Sequence, residues 1–80
     1  MLSKRYIFTF PPHMITQSVI YKLGKDFDLE TNIRRADIRE DMGWVILELI
    51  GTEEEIIKGI DWVTSTGVRV DSINGDLVQG

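Results

Sequence analysis

Few residues in this chain could do chemistry, and most of them stand beside a simpler duty. Its eighty residues hold one histidine and no cysteine. Without cysteine there is no thiolate zinc site, iron–sulfur cluster or cysteine nucleophile. His13, placed after Pro11-Pro12, has no second ligand or partner base near it in sequence. Glu53, Glu54 and Glu55 follow Thr52, the pattern of a capping box at a helix start, where carboxylates suit the helix dipole. Arg34, Arg35 and Arg39 form the one basic cluster, able to grip a phosphate or carboxylate through paired N–H donors. Asp37, Glu40 and Asp41 stand close enough to neutralise it. Asn32 is more telling, because asparagine is disfavoured inside strands and this one lies within a strand-like run. It has a hydrogen-bonding task, either with its own backbone or with a ligand. No catalytic residue, metal ligand or cofactor is assigned, and an enzyme is the class least expected.

The elements that position these residues follow from hydrophobic period. Arg5 to Phe10 alternate, with Tyr6, Phe8 and Phe10 on one side, until Pro11-Pro12 ends the strand. From about Ile15 to Phe27 the pattern is helical, with Ile15, Val19, Leu23 and Phe27 stepping by four beside Ile20. Thr16 or His13 is the candidate cap. Leu29 to Glu40 reads as a long strand broken at Arg34-Arg35: a bulge there sets Leu29, Thr31, Ile33, Ala36 and Ile38 on one face, whereas a straight strand sets Ile38 with Asn32. Asp41-Met42-Gly43 supplies a hairpin turn into Trp44 to Ile50, which Gly51 ends. The second helix runs from Thr52 to a left-handed cap at Gly67, with Ile56, Ile57, Ile60 and Val63 as its buried stripe and Trp62 partly exposed. Val68 to Ile73 is a short last strand, Asn74-Gly75-Asp76 a turn, and Leu77 to Gly80 a tail without pattern.

The order is βαββαβ. Short connections and right-handed crossovers fold it into an α+β, ferredoxin-like plait: a four-stranded antiparallel sheet with two helices on one face. Residues 1–80 are expected to form one domain, with the core over about 5–73 and a flexible tail over 74–80. Net charge −4 argues against a nucleic-acid surface. The longest apolar run, Trp44 to Leu47, is far short of a membrane span, and no secretory leader is visible, so the expected location is cytoplasmic.

A chain of this size buries only about 60% of its unfolded surface, so its core is thin. If the helices cover Tyr6, Phe8, Phe10, Val45, Leu47 and Leu49, the bare face of the sheet carries Ile7, Trp44, Ile46 and Ile50. Such a patch reaches roughly a few hundred Å², the size that marks an interaction site. This face is the expected surface for a homodimer, or for the rest of a larger parent chain.

The run Phe27-Asp28-Leu29-Glu30-Thr31-Asn32-Ile33, then Ala36-Asp37-Ile38, then Gly43 through Leu49 and Gly51, resembles the NIL domain. Phe8-Thr9-Phe10 and Gly67-Val68-Arg69-Val70 extend the likeness over roughly Arg5 to Ile73. The tripeptide that names the family, Asn-Ile-Leu, reads Asn32-Ile33-Arg34 here, which makes the local surface charged. The resemblance implies the βαββαβ plait and a place at the carboxyl end of the ATPase subunit of methionine ABC transporters. There such domains pair as dimers and bind methionine, which inhibits transport. It implies ligand contacts from the motif asparagine and from an apolar residue six positions later, here Asn32 and Ile38. Other NIL domains are free-standing or precede a ferredoxin-type iron–sulfur module in proteins of sulfur assimilation.

The expected function is therefore a non-catalytic, dimeric, small-molecule-binding regulatory domain, with methionine or a related sulfur amino acid as ligand. The alternative is a protein-interaction module for a sulfur-assimilation or iron–sulfur partner, with no small ligand. A third reading, an amino-acid-binding domain like the ACT domain, puts the ligand at the Pro11-Pro12-His13 loop.

Overall fold

The computed structural model describes residues 1–14, 16–39 and 41–73. Its elements are β1 (Leu2–Phe10), α1 (Thr16–Asp26), β2 (Glu30–Ile38), β3 (Gly43–Gly51), α2 (Glu53–Ser65) and β4 (Arg69–Ile73). They form the α+β ferredoxin-like plait: one antiparallel sheet in the order β2-β3-β1-β4, with both helices on one face. β1 begins three residues earlier than its alternation suggests, because Leu2, Ser3 and Lys4 pair with Gly51, Ile50 and Leu49. The expected turn at Asn74-Gly75-Asp76, the tail, and Ile15 at the start of the first helix lie outside the described residues.

Strict alternation in β3 sets Val45, Leu47 and Leu49 under the helices, each buried, with Trp44, Ile46, Glu48 and Ile50 on the other side. Phe8 and Phe10 of β1, Val19 and Leu23 of α1, and Ile56 and Val63 of α2 close this core. The α2 stripe differs from its expectation at Ile57, which is 53% exposed. Ile56, Gly59 and Val63 face the core instead, a spacing of three and four that one helical face holds, while Ile57 is turned about 100° from Ile56. Gly59 is there for packing: a Cβ would stand 2.8 Å from Leu23 Cδ1 and 3.0 Å from Leu29 Cδ1. Trp62 is partly buried, tilted against Phe27 with ring centroids 5.9 Å apart.

The capping box is made by half. Thr52 Oγ1 accepts the Glu55 amide at 3.2 Å, as the pattern predicts. The Glu55 carboxylate does not return to Thr52; it accepts the Asp28 amide at 3.1 Å and pairs with Lys58 at 3.5 Å. The first turn of α2 is thereby tied to the α1–β2 connection, a contact across 27 positions that a local pattern cannot show.

Candidate ligand cleft and partner face

The break at Arg34-Arg35 is a bulge. Ile33 stands opposite Leu47 and Arg35 opposite Ile46, so Arg34 is the extra residue. Thr31, Ile33, Ala36 and Ile38 consequently share the helix-covered face with Leu49, Leu47, Val45 and Gly43. Glu30, Asn32, Arg35 and Asp37 share the bare face with Ile50, Glu48, Ile46 and Trp44. The two expected ligand residues therefore lie on opposite faces of β2, roughly 17–20 Å apart along the strand. A single copy does not bring Asn32 and Ile38 to one small molecule.

Ile38 lines a cleft where the β2–β3 hairpin meets the loop after β1. Phe10, Pro11, Pro12, Met14, Ile38 and Met42 form its apolar walls, Arg39 stands at its rim, and about 30 Å³ is open within it. The Met14 amide donates to the Pro11 carbonyl at 3.0 Å and shapes one wall; the Arg39 amide donates to the Met42 carbonyl at 2.7 Å and shapes the other. Ile38 leans over the hairpin at Gly43, where a Cβ would meet Ile38 Cδ1 at 3.0 Å and push that exposed side chain aside by a few tenths of an ångström. Ile38 and Met42 remain 56% and 48% exposed, so the cleft presents two large apolar side chains to solvent. Asp37 carries both hydrogen bonds of the Arg39 guanidinium, at 3.2 and 3.1 Å, and holds it charged. The open space is about that of one methyl group, and the Arg39 guanidinium at its rim is paired with Asp37. His13 is exposed on the loop and is not among the lining residues.

Asn32 belongs to a different constellation. On the bare face it stands opposite Glu48, beside Ser3, Arg5 and Arg34. The Ser3 hydroxyl donates to the Glu48 carboxylate, and this bond is the largest influence holding that carboxyl below its ordinary value. Burial opposes it, while the Arg34 and Arg5 charges and the Asn32 amide add to it. Arg34 therefore pairs with Glu48, at 3.5 Å, across the strand pair. Sequence reasoning singled out Asn32 and Arg34 but missed Ser3, Arg5 and Glu48, because only the strand register joins them.

Ile7, Trp44, Ile46 and Ile50, expected as a partner face, all lie on the bare face of the sheet. Ile7 stands opposite Ile46, and Trp44 extends the patch along β3. Ile50 lies beyond Glu48, so the polar cluster divides it from the other three.

The family model described as the NIL domain matches residues 4–72. The chain belongs to the NIL domain family. The fold is similar to that of a solved structure, the C-terminal domain of an ABC transporter ATP-binding protein from Enterococcus faecalis. The two superpose with a TM-score of 0.78 at 19% identity, over 89% of this chain and 83% of that one. No curated protein matches the chain in sequence. Among the described residues of this NIL domain no helix is long and apolar enough to cross a membrane, and no cluster of His, Asp or Glu is arranged to hold a metal ion.

Proposed function

We propose that this NIL domain is a non-catalytic regulatory domain that binds a sulfur amino acid, with methionine as the leading candidate, and acts as a homodimer on a transporter ATPase or similar parent chain. The supporting observation is the cleft at Ile38. Its walls of two methionines, one aromatic and one aliphatic side chain and two prolines match a thioether in polarizability, and Arg39 offers the charge for a carboxylate. Membership of the NIL family and likeness to a transporter ATPase domain point the same way. Ile38 is assigned to the ligand's side chain. Asn32 is assigned a second contact on the bare face, because one amino acid does not span both. Regulation then requires that the ligand favour one arrangement of the pair over another.

Titration calorimetry against methionine, homocysteine and unrelated amino acids tests this reading. Ile38→Asp is expected to abolish binding in the cleft. Asn32→Ala reports the second contact: loss of heat with that change alone would move the ligand to the bare face. No heat with any amino acid would retire the sensor. The interaction-module alternative draws on Ile7, Trp44 and Ile46, which no element of the described chain covers. A copurifying redox or sulfur-transfer protein that is lost on Ile46→Asp, together with a melting temperature indifferent to amino acids, would favour it.

A further inference from the structure

With no cysteine in the chain, its three methionines are the sulfurs that an oxidant meets. Two of them, Met14 and Met42, share the cleft. Met14 is partly buried against the core, and its amide is held by the Pro11 carbonyl at 3.0 Å. Met42 stands at the β2–β3 hairpin and is 48% exposed. Hairpin turns favour Gly, Asn, Asp and Ser, and Asp41 and Gly43 comply. A long apolar side chain between them has no part in the turn; it serves as a wall of the cleft, beside Ile38 and Arg39. The Met42 thioether therefore belongs to the cleft and stands open to solutes at the same time.

We propose that Met42 is a reversible oxidation site whose sulfoxide closes the cleft to apolar groups. The oxidant is hydrogen peroxide. A sulfur lone pair attacks one peroxide oxygen, the O–O bond breaks, and the departing hydroxide takes up the proton left on the transferred oxygen to become water. The thioether is oxidised by two electrons and the peroxide is reduced by the same two. An apolar wall thereby gains a polar, hydrogen-bond-accepting oxygen. Arg39 stands at the same rim to receive it. Of the five N–H donors of a guanidinium, Asp37 takes two, at 3.2 and 3.1 Å, and holds the fork in place. With about 30 Å³ open in the cleft, one added oxygen and the water it binds are enough to fill it. Reduction needs an external dithiol, because the chain has no cysteine: the dithiol closes to a disulfide and the oxygen leaves as water. The loss of ligand binding rests on the amino-acid-binding reading above; the oxidation site itself does not.

Peptide mass mapping after graded hydrogen peroxide reads each methionine of the 80-residue chain. Met1, 90% exposed, is the internal reference for an unprotected thioether. Met42 is expected to gain one oxygen at a rate within a few-fold of Met1, and Met14 roughly tenfold more slowly than Met42. The δ1-methyl resonance of Ile38 is expected to shift when the wild-type chain is treated. It should return after methionine sulfoxide reductases and a dithiol are added. In Met42→Leu, which keeps the wall without its sulfur, that resonance is expected to stay in place under peroxide. In calorimetry the treated wild-type chain is expected to lose affinity for methionine by roughly tenfold or more, whereas treated Met42→Leu keeps it. A Met42 that oxidises as slowly as Met14 would overturn the proposal, as would an Ile38 signal that stays still in the wild type or shifts equally in Met42→Leu. No heat from the untreated chain with any amino acid would retire the sensor reading alone, since mapping and the Ile38 signal still judge the oxidation site.

Discussion

Gly67 holds φ at +102°, a conformation that side-chain-bearing residues rarely adopt. Nothing lies within 4 Å of where a Cβ would sit, so the demand is conformational and not steric. Gly67→Ala is expected to cost about 1–2 kcal/mol, read as a lower urea midpoint at unchanged slope. Glu48 makes a pH prediction. Its native pKa is held below the ordinary 4.5, first by the Ser3 hydroxyl. The unfolded chain then takes up that proton more readily than the native one. The stability from this group is complete above the ordinary value and is lost as pH falls through the lowered one. Glu48→Gln is expected to flatten that part of the acid limb, seen in urea titrations stepped down through about pH 4.5. Gly67 was legible in the sequence because its helix ends where it stands. Glu48 was not, because Ser3 is 45 positions away.

At the scale of the element, β2 decides the candidate site. The bulge at Arg34 keeps Ala36 and Ile38 on the same face as Ile33, and it leaves Asn32 on the other. Without Arg34, Ile33 and Ala36 would still be separated by one residue on the opposite face, so the remaining sequence alternates without a break. Deleting Arg34 is therefore expected to leave the domain folded and within about 1 kcal/mol of the wild type, since what it removes is a half-exposed arginine in a 3.5 Å ion pair, and Glu48 keeps its bond from Ser3. A deletion variant that unfolds would show that the bulge's local twist is itself required. The sequence left both a bulged and a straight β2 open, because two arginines satisfy solvent on either face. The pairing with β3 decided between them: it sets Ile33 opposite Leu47 and Ala36 opposite Val45 and leaves Arg34 as the extra residue. β2 is also an edge strand, and the charges of Arg34, Arg35, Asp37 and Arg39 protect its unpaired backbone from indiscriminate strand addition.

The whole molecule is a thin slab, with Cα extents of 35 × 32 × 17 Å. The short dimension accommodates one sheet and one layer of helices, so among the described residues nothing forms a third layer over the second face of the sheet. A domain with a core this small responds strongly to anything that binds only its folded form. Methionine at a hundred times its dissociation constant is expected to add about 2.7 kcal/mol. For a domain of this size that raises the melting temperature by roughly 10–20 °C. Differential scanning calorimetry checks this, and no shift in Tm with a ligand that titrates heat would mean that the unfolded chain binds it as well.

The amino-acid sequence by itself determined the order of elements, the plait and most of the core, which rest on local periods, caps and turn residues written in neighbouring positions; the NIL family was legible separately, through the likeness of its motifs. Tertiary structure decided the rest. It put Asn32 and Ile38 on opposite faces, joined Ile38 to Pro11 and Met14, and tied Glu55 to Asp28. It also set Glu48 beside Ser3 and Arg34. Each of these depends on strand register or on contact between distant segments, and a one-residue change of register moves a side chain to the other face of the sheet. Periodicity fixes which residues share a face of one element, but only the pairing of elements fixes what they meet.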